Sequence, residues 1–222
     1  MRTSYLMFTV LIGGLGVWAQ APNAPSKDAP ANELKGMPPR VAPTEYQAHA
    51  QAGTLTVAAE FLGHSVPTLE GTYNAEDYVV VEAALFGGPE ARTKLTAGDF
   101  SLRINGKKVA QPSQPYELVF HSLKDPEWEP SSKETKSKTS MNTGGGGAND
   151  PGSAPPPPPK MPIEMRRAME QRVKSVSMLE GERALPQAGL LFFDYRGKTQ
   201  SIRSLELIYN GAGGSTTLAL QP

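Results

Sequence analysis

The chain has 222 residues, 38% of them hydrophobic and 20% charged, which is enough for one domain with a sizeable core. Its 22 Lys and Arg balance 22 Asp and Glu, so no net field draws it to nucleic acid or an anionic membrane, and nucleic acid is excluded as a partner class. It contains no cysteine, which excludes disulfides, thiolate metal sites and lipid attachment at a cysteine, and leaves stability to packing.

The first segment, MRTSYLMFTVLIGGLGVWAQ, pairs the positive Arg2 with an apolar run from Leu6 to Val17 and a Val17-Trp18-Ala19 cleavage pattern. It predicts a signal peptide over residues 1–19 and an exported chain, periplasmic or extracellular. No later stretch is long and apolar enough to span a bilayer, so no transmembrane span is expected in the mature chain. The lack of cysteines and of Asn-x-Ser/Thr sequons fits a bacterial envelope. Residues 20–51, rich in Pro and Ala, bury too little to offset their ordering entropy and are expected to form a disordered leader.

From Thr54 the hydrophobic period is two. Leu55, Val57, Ala59 and Phe61 alternate with Thr54, Thr56, Ala58 and Glu60, as in a strand with one face buried. DYVVVEAALF (77–86) is almost continuously apolar, which suits a central strand covered on both faces; GHSVPTLEGTYN before it reads as a loop. Phe100, Leu102 and Ile104 mark the next strand. Asn105-Gly106 then predicts a hairpin turn, with Val109 starting the return. YELVFHSL (116–123) alternates and predicts another strand.

Residues 131–160, including GGGGANDPGSAPPPPPK, form a low-complexity tract expected to be a disordered insertion within one β-sandwich domain, residues 52–222. After it, Met165, Met169, Val173 and Val176 recur at helical spacing and predict a short amphipathic helix over 163–177. GLLFFDY (189–195), SIRSLELIY (201–209) and TTLAL (216–220) predict three strands joined in an antiparallel meander.

Asp99-Phe100-x-Leu102, Gly106, Leu179-x-Gly181-Glu182, Gly189 leading into Phe192-Phe193, and Leu205-x-Leu207-x-Tyr209 together resemble a broad family of secreted bacterial immunoglobulin-like domains. That family is related in fold to a secreted mycobacterial immunoprotective antigen. The resemblance covers residues 53–125 and 178–220 and implies an all-β, antiparallel immunoglobulin-like β-sandwich with no catalytic residues to carry over.

The candidate chemistry is sparse. The glycine run ends in prolines rather than in Gly-Lys-Ser/Thr, so it lacks the amides, lysine and hydroxyl of a phosphate loop, and PPPPPK reads as a stiff spacer. His49, His64 and His121 have no metal-ligand neighbours at useful spacing, and no G-x-S-x-G elbow is present. Glu180 with Glu182 and Asp194 with Glu206 read as solvent-facing partners on strands. No catalytic, cofactor or metal site is therefore expected. Three residues are candidates for partner binding: Trp128, an aromatic at the mouth of the insertion, and the Arg166-Arg167 pair on the helix. The expected function is a non-catalytic interaction or structural module of the bacterial cell envelope, its partner an envelope protein or glycan. The alternatives are a hydrolase or carbohydrate-active enzyme using loop carboxylates, and a strand-exchanging structural subunit.

Overall fold

The structure, a computed structural model, describes residues 36–124 and 161–222. In chain order the first part forms β1 (Ala48–Ala52), β2 (Leu55–Phe61), β3 (Ser65–Thr68), β4 (Gly71–Ala75), β5 (Tyr78–Phe86), β6 (Arg92–Leu95), β7 (Phe100–Ile104), β8 (Gln111–Pro112), helix α1 (Tyr116–Phe120) and β9 (Leu123–Lys124). The second part forms α2 (Ile163–Val176), β10 (Gly181–Ala184), β11 (Gln187–Asp194), β12 (Leu205–Gly211) and β13 (Gly214–Leu220). The predicted signal peptide, Trp128 and the low-complexity tract all lie outside the described residues.

Two antiparallel sheets face each other, one ordered β1-β2-β5-β11 and the other β13-β12-β7-β8. Their facing sides supply one core: Val57, Val79, Val81, Leu85, Leu191 and Phe193 from the first, Phe100, Leu102, Leu205, Leu207, Tyr209 and Leu218 from the second. The fold is thus an all-β antiparallel sandwich with one short amphipathic helix. β5 lies between β2 and β11, and its inner seven residues are all buried, because the first sheet is covered on both faces. Its outer face packs Val80, Leu190 and Phe192 against α1, α2 and the small sheet β3-β4-β9. The rest of that face, Ala58, Ala84 and Ala188, lies beneath Tyr46 of the segment that precedes β1. Pairs β5 with β11, β7 with β12 and β6 with β10 each join a strand before residue 125 to one after residue 160.

Several expectations are corrected. Residues 48–51, expected to belong to an unstructured leader, form β1 together with Ala52 and pair with β2 from Ala48 opposite Ala59 to Ala52 opposite Leu55. Backbone pairing sets this strand, since AHAQA has only small apolar residues to signal it. The stretch expected to be a loop is the β3-β4 hairpin, whose apolar positions Val66, Tyr73 and Ala75 are too few to show a period. YELVF is helical: Pro115 caps it at φ −67°, Val119 is buried, and Leu118 is 53% exposed. Five residues are too short for periodicity to separate strand from helix.

The three final strands do not form one meander. β11 belongs to the first sheet, whereas β12 and β13 belong to the second. The turn at Asn105-Gly106 has positive φ at both residues, 54° and 64°, as its composition requires. Yet the return strand starts at Gln111 and Val109 is 76% exposed. Asn105 is held instead by the loop before β12: its Oδ1 accepts from the Arg203 and Ser204 amides at 2.6 and 3.3 Å.

Candidate docking face

α2 is amphipathic over only part of its length. Met169, Val173 and Val176, at i, i+4 and i+7, are buried against the outer face of the first sheet. Arg172 ties the helix to the β3-β4 hairpin, donating to the Tyr73 hydroxyl at 2.8 Å and pairing with Glu70. At the far end the Ser177 hydroxyl donates to the Val173 carbonyl at 2.7 Å, closing a helix whose C-cap backbone is already extended. Among the described residues positions 163–168 have no such cover. Met165, expected in the buried stripe, is 42% exposed and Ile163 48% exposed, because the helix begins beyond the sheet on which its later turns pack.

α1 stands beside this uncovered end. Between them lies a concavity of about 370 Å³, lined by Glu117, Phe120 and His121 on one side and Ile163, Arg166, Arg167 and Glu170 on the other. Arg166 and Arg167 are exposed, and neither enters an ion pair among the described residues. Two guanidinium groups and two carboxylates frame the apolar Phe120 and Ile163, so the rim offers directional recognition rather than bulk attraction. Six large apolar side chains are strongly exposed among the described residues, and Leu118, Ile163 and Met165 of α1 and α2 are three of them.

A second, smaller cavity of about 160 Å³ follows the same two helices towards β11. It opens because the free edge of β11 is held by two diverging segments: the Gln114 amide donates to the Phe192 carbonyl at 2.7 Å, and the Met178 amide to the Leu190 carbonyl at 3.0 Å. Lys174 lies at this cavity with its ammonium 5.8 Å from the Tyr116 ring centroid. Burial, then the Glu117 carboxylate, raises the Tyr116 phenol above its ordinary value.

The other candidates are scattered. His49 lies on β1 and His121 caps α1. His64 is a tie between loops: its Nδ1 lies 3.0 and 2.7 Å from the Ala75 and Tyr78 carbonyls, and its Nε2 3.0 Å from the Gly197 carbonyl. Glu180 accepts from the Ala97 amide at 2.7 Å, and Glu182 pairs with Arg92 at 3.2 Å. Asp194 and Glu206, expected on adjacent strands, are on different sheets, where Glu206 pairs with Arg103 at 2.6 Å. Of the three predicted contact residues the structure brings Arg166 and Arg167 together at one concavity, while Trp128 lies outside the described residues. Sequence reasoning missed α1 as the other wall, since its five residues read as a strand.

No known family matches the chain, and no curated protein matches it. Among solved structures it is similar to a Bacillus subtilis protein described provisionally as a lipoprotein, at 11% identity and a TM-score of 0.33. The match covers 78% of this chain and 38% of that one, so the chain spans less than half of that protein. At that TM-score the likeness carries no argument about fold or role.

Proposed function

We propose that the protein is a non-catalytic interaction module of the bacterial cell envelope and that a partner docks on the uncovered end of α1 and α2. The observation that carries this reading is the juxtaposition at one concavity of two guanidinium groups that enter no ion pair among the described residues with exposed Ile163 and half-buried Phe120. Arginines and apolar anchors of this kind supply most of the energy at protein interfaces. The envelope assignment rests on the signal-peptide pattern of residues 1–19, and the partner class is an envelope protein or glycan.

The test is binding of the purified mature chain to an envelope fraction, before and after Arg166→Glu with Arg167→Glu. Both side chains are exposed, so folding should survive the change. The double variant should lose binding by about tenfold or more. A Lys107→Glu, Lys108→Glu control, which reverses two exposed cations on the β7-β8 loop, should bind like the original. Equal binding by the Arg166, Arg167 variant would contradict the proposal.

A further inference from the structure

Ser113, in the segment between β8 and α1, is buried, with only 8% of the residue exposed. It lines the 160 Å³ cavity beside β11, and its hydroxyl makes no hydrogen bond among the described residues. A hydroxyl taken out of bulk water without a partner costs free energy unless something in the cavity meets it. Ser177, 5% exposed, reaches the same cavity from the end of α2, and its hydroxyl commits its proton to the Val173 carbonyl at 2.7 Å. Its oxygen can still accept. One hydroxyl able to donate and one oxygen able to accept therefore meet at this cavity, both on residues more than nine-tenths buried.

The remaining lining decides what such a pair would hold. Met178, Leu190 and Phe192 supply apolar surface, and Tyr116 adds a ring whose phenol is kept protonated by burial. The charged groups at the cavity have other engagements: Glu180 accepts from the Ala97 amide at 2.7 Å, and the Lys174 ammonium lies 5.8 Å from the Tyr116 ring centroid, within cation–π range. Glu117 is exposed. The buried lining thus offers hydroxyls and apolar surface rather than a charge, as in sites for small, largely apolar ligands. Its volume, about 160 Å³, is close to the roughly 150 Å³ that accommodates one benzene molecule.

We infer that this cavity binds a small uncharged aromatic alcohol, a single ring bearing one hydroxyl on a short arm. The ring would lie against Met178, Leu190 and Phe192, while the ligand hydroxyl accepts from Ser113 and donates to Ser177. The inference does not rest on the docking face at the other end of α2.

The test is NMR titration of the full mature chain with benzyl alcohol, compared with toluene, which lacks the hydroxyl, and benzylammonium, which replaces it by a charge. Benzyl alcohol should bind saturably and shift the signals of Gln114, Ser177 and Met178, with toluene and benzylammonium weaker by about fivefold or more. Ser113→Ala removes a hydroxyl that holds nothing in the fold, so the variant should fold, bind benzyl alcohol about fivefold more weakly and bind toluene as before. Ala97→Leu, at a half-buried position on the cavity, should weaken both ligands. The inference is overturned if benzyl alcohol shows no saturable shifts or shifts residues elsewhere, if toluene or benzylammonium matches it, or if Ser113→Ala leaves its affinity unchanged. Unchanged affinity in Ala97→Leu overturns it as well, and decides alone should Ser113→Ala fail to fold.

Discussion

Arg40 and His64 show how single polar side chains fasten irregular chain to the sandwich. Removing Arg40 leaves Glu60 and Glu82 facing each other with no counter-charge among the described residues, so Arg40→Met should cost about 2–3 kcal/mol in urea denaturation. Adding Glu60→Gln and Glu82→Gln to that variant should recover most of the loss, because the penalty is uncompensated charge. His64 lies against three backbone carbonyls from the β4-β5 and β11-β12 connections. His64→Ala should therefore cost about 1–3 kcal/mol and raise amide exchange in both connections together. Neither role was visible in the sequence. Arg40 sits among prolines in what reads as a leader, and His64 in what reads as a loop, with partners distant along the chain.

At the level of elements, long and strongly patterned strands were legible and short ones were not. β5 announced its burial on both faces through nearly unbroken apolar residues, and β2, β7 and β11 through alternation or apolar runs. β1, β3 and β6 carry alanine, proline or charged residues, and only their pairing partners define them. Of the docking face the sequence disclosed α2 and its arginines but not α1, whose helix depends on packing of Val119 beneath it. Gly189 shows a further tertiary constraint: a Cβ there would overlap the Met178 backbone, which runs along the β11 edge after leaving α2. Gly189→Ala should cost about 1–3 kcal/mol and loosen the end of α2, seen as faster exchange of the Met178 amide. Val173→Ala, at a fully buried position, should cost about 2 kcal/mol or more and release α2.

The whole molecule should respond to alkali in a defined direction. Tyr46, Tyr78, Tyr116 and Tyr209 are all raised above 10.0, in each case chiefly by burial. The folded chain therefore keeps protons that the unfolded chain releases, so stability is unaffected below about pH 10 and falls as pH rises through the folded values. Urea midpoints should be level up to that pH and drop beyond it, and Tyr209→Phe should lessen the drop. The β6-β10, β5-β11 and β7-β12 pairings also distribute the core across both described parts of the chain, so neither part contains a complete sandwich. Among the described residues the α1-α2 end is left uncovered, and the proposed function places its partner there. The most direct measurement is photo-crosslinking in intact cells from a reactive residue placed at Ile163, with Val109 on the β7-β8 loop as the comparison. A discrete adduct from position 163 and none from 109 is the predicted result; no adduct from 163, or the same adduct from both, would contradict a partner on this face.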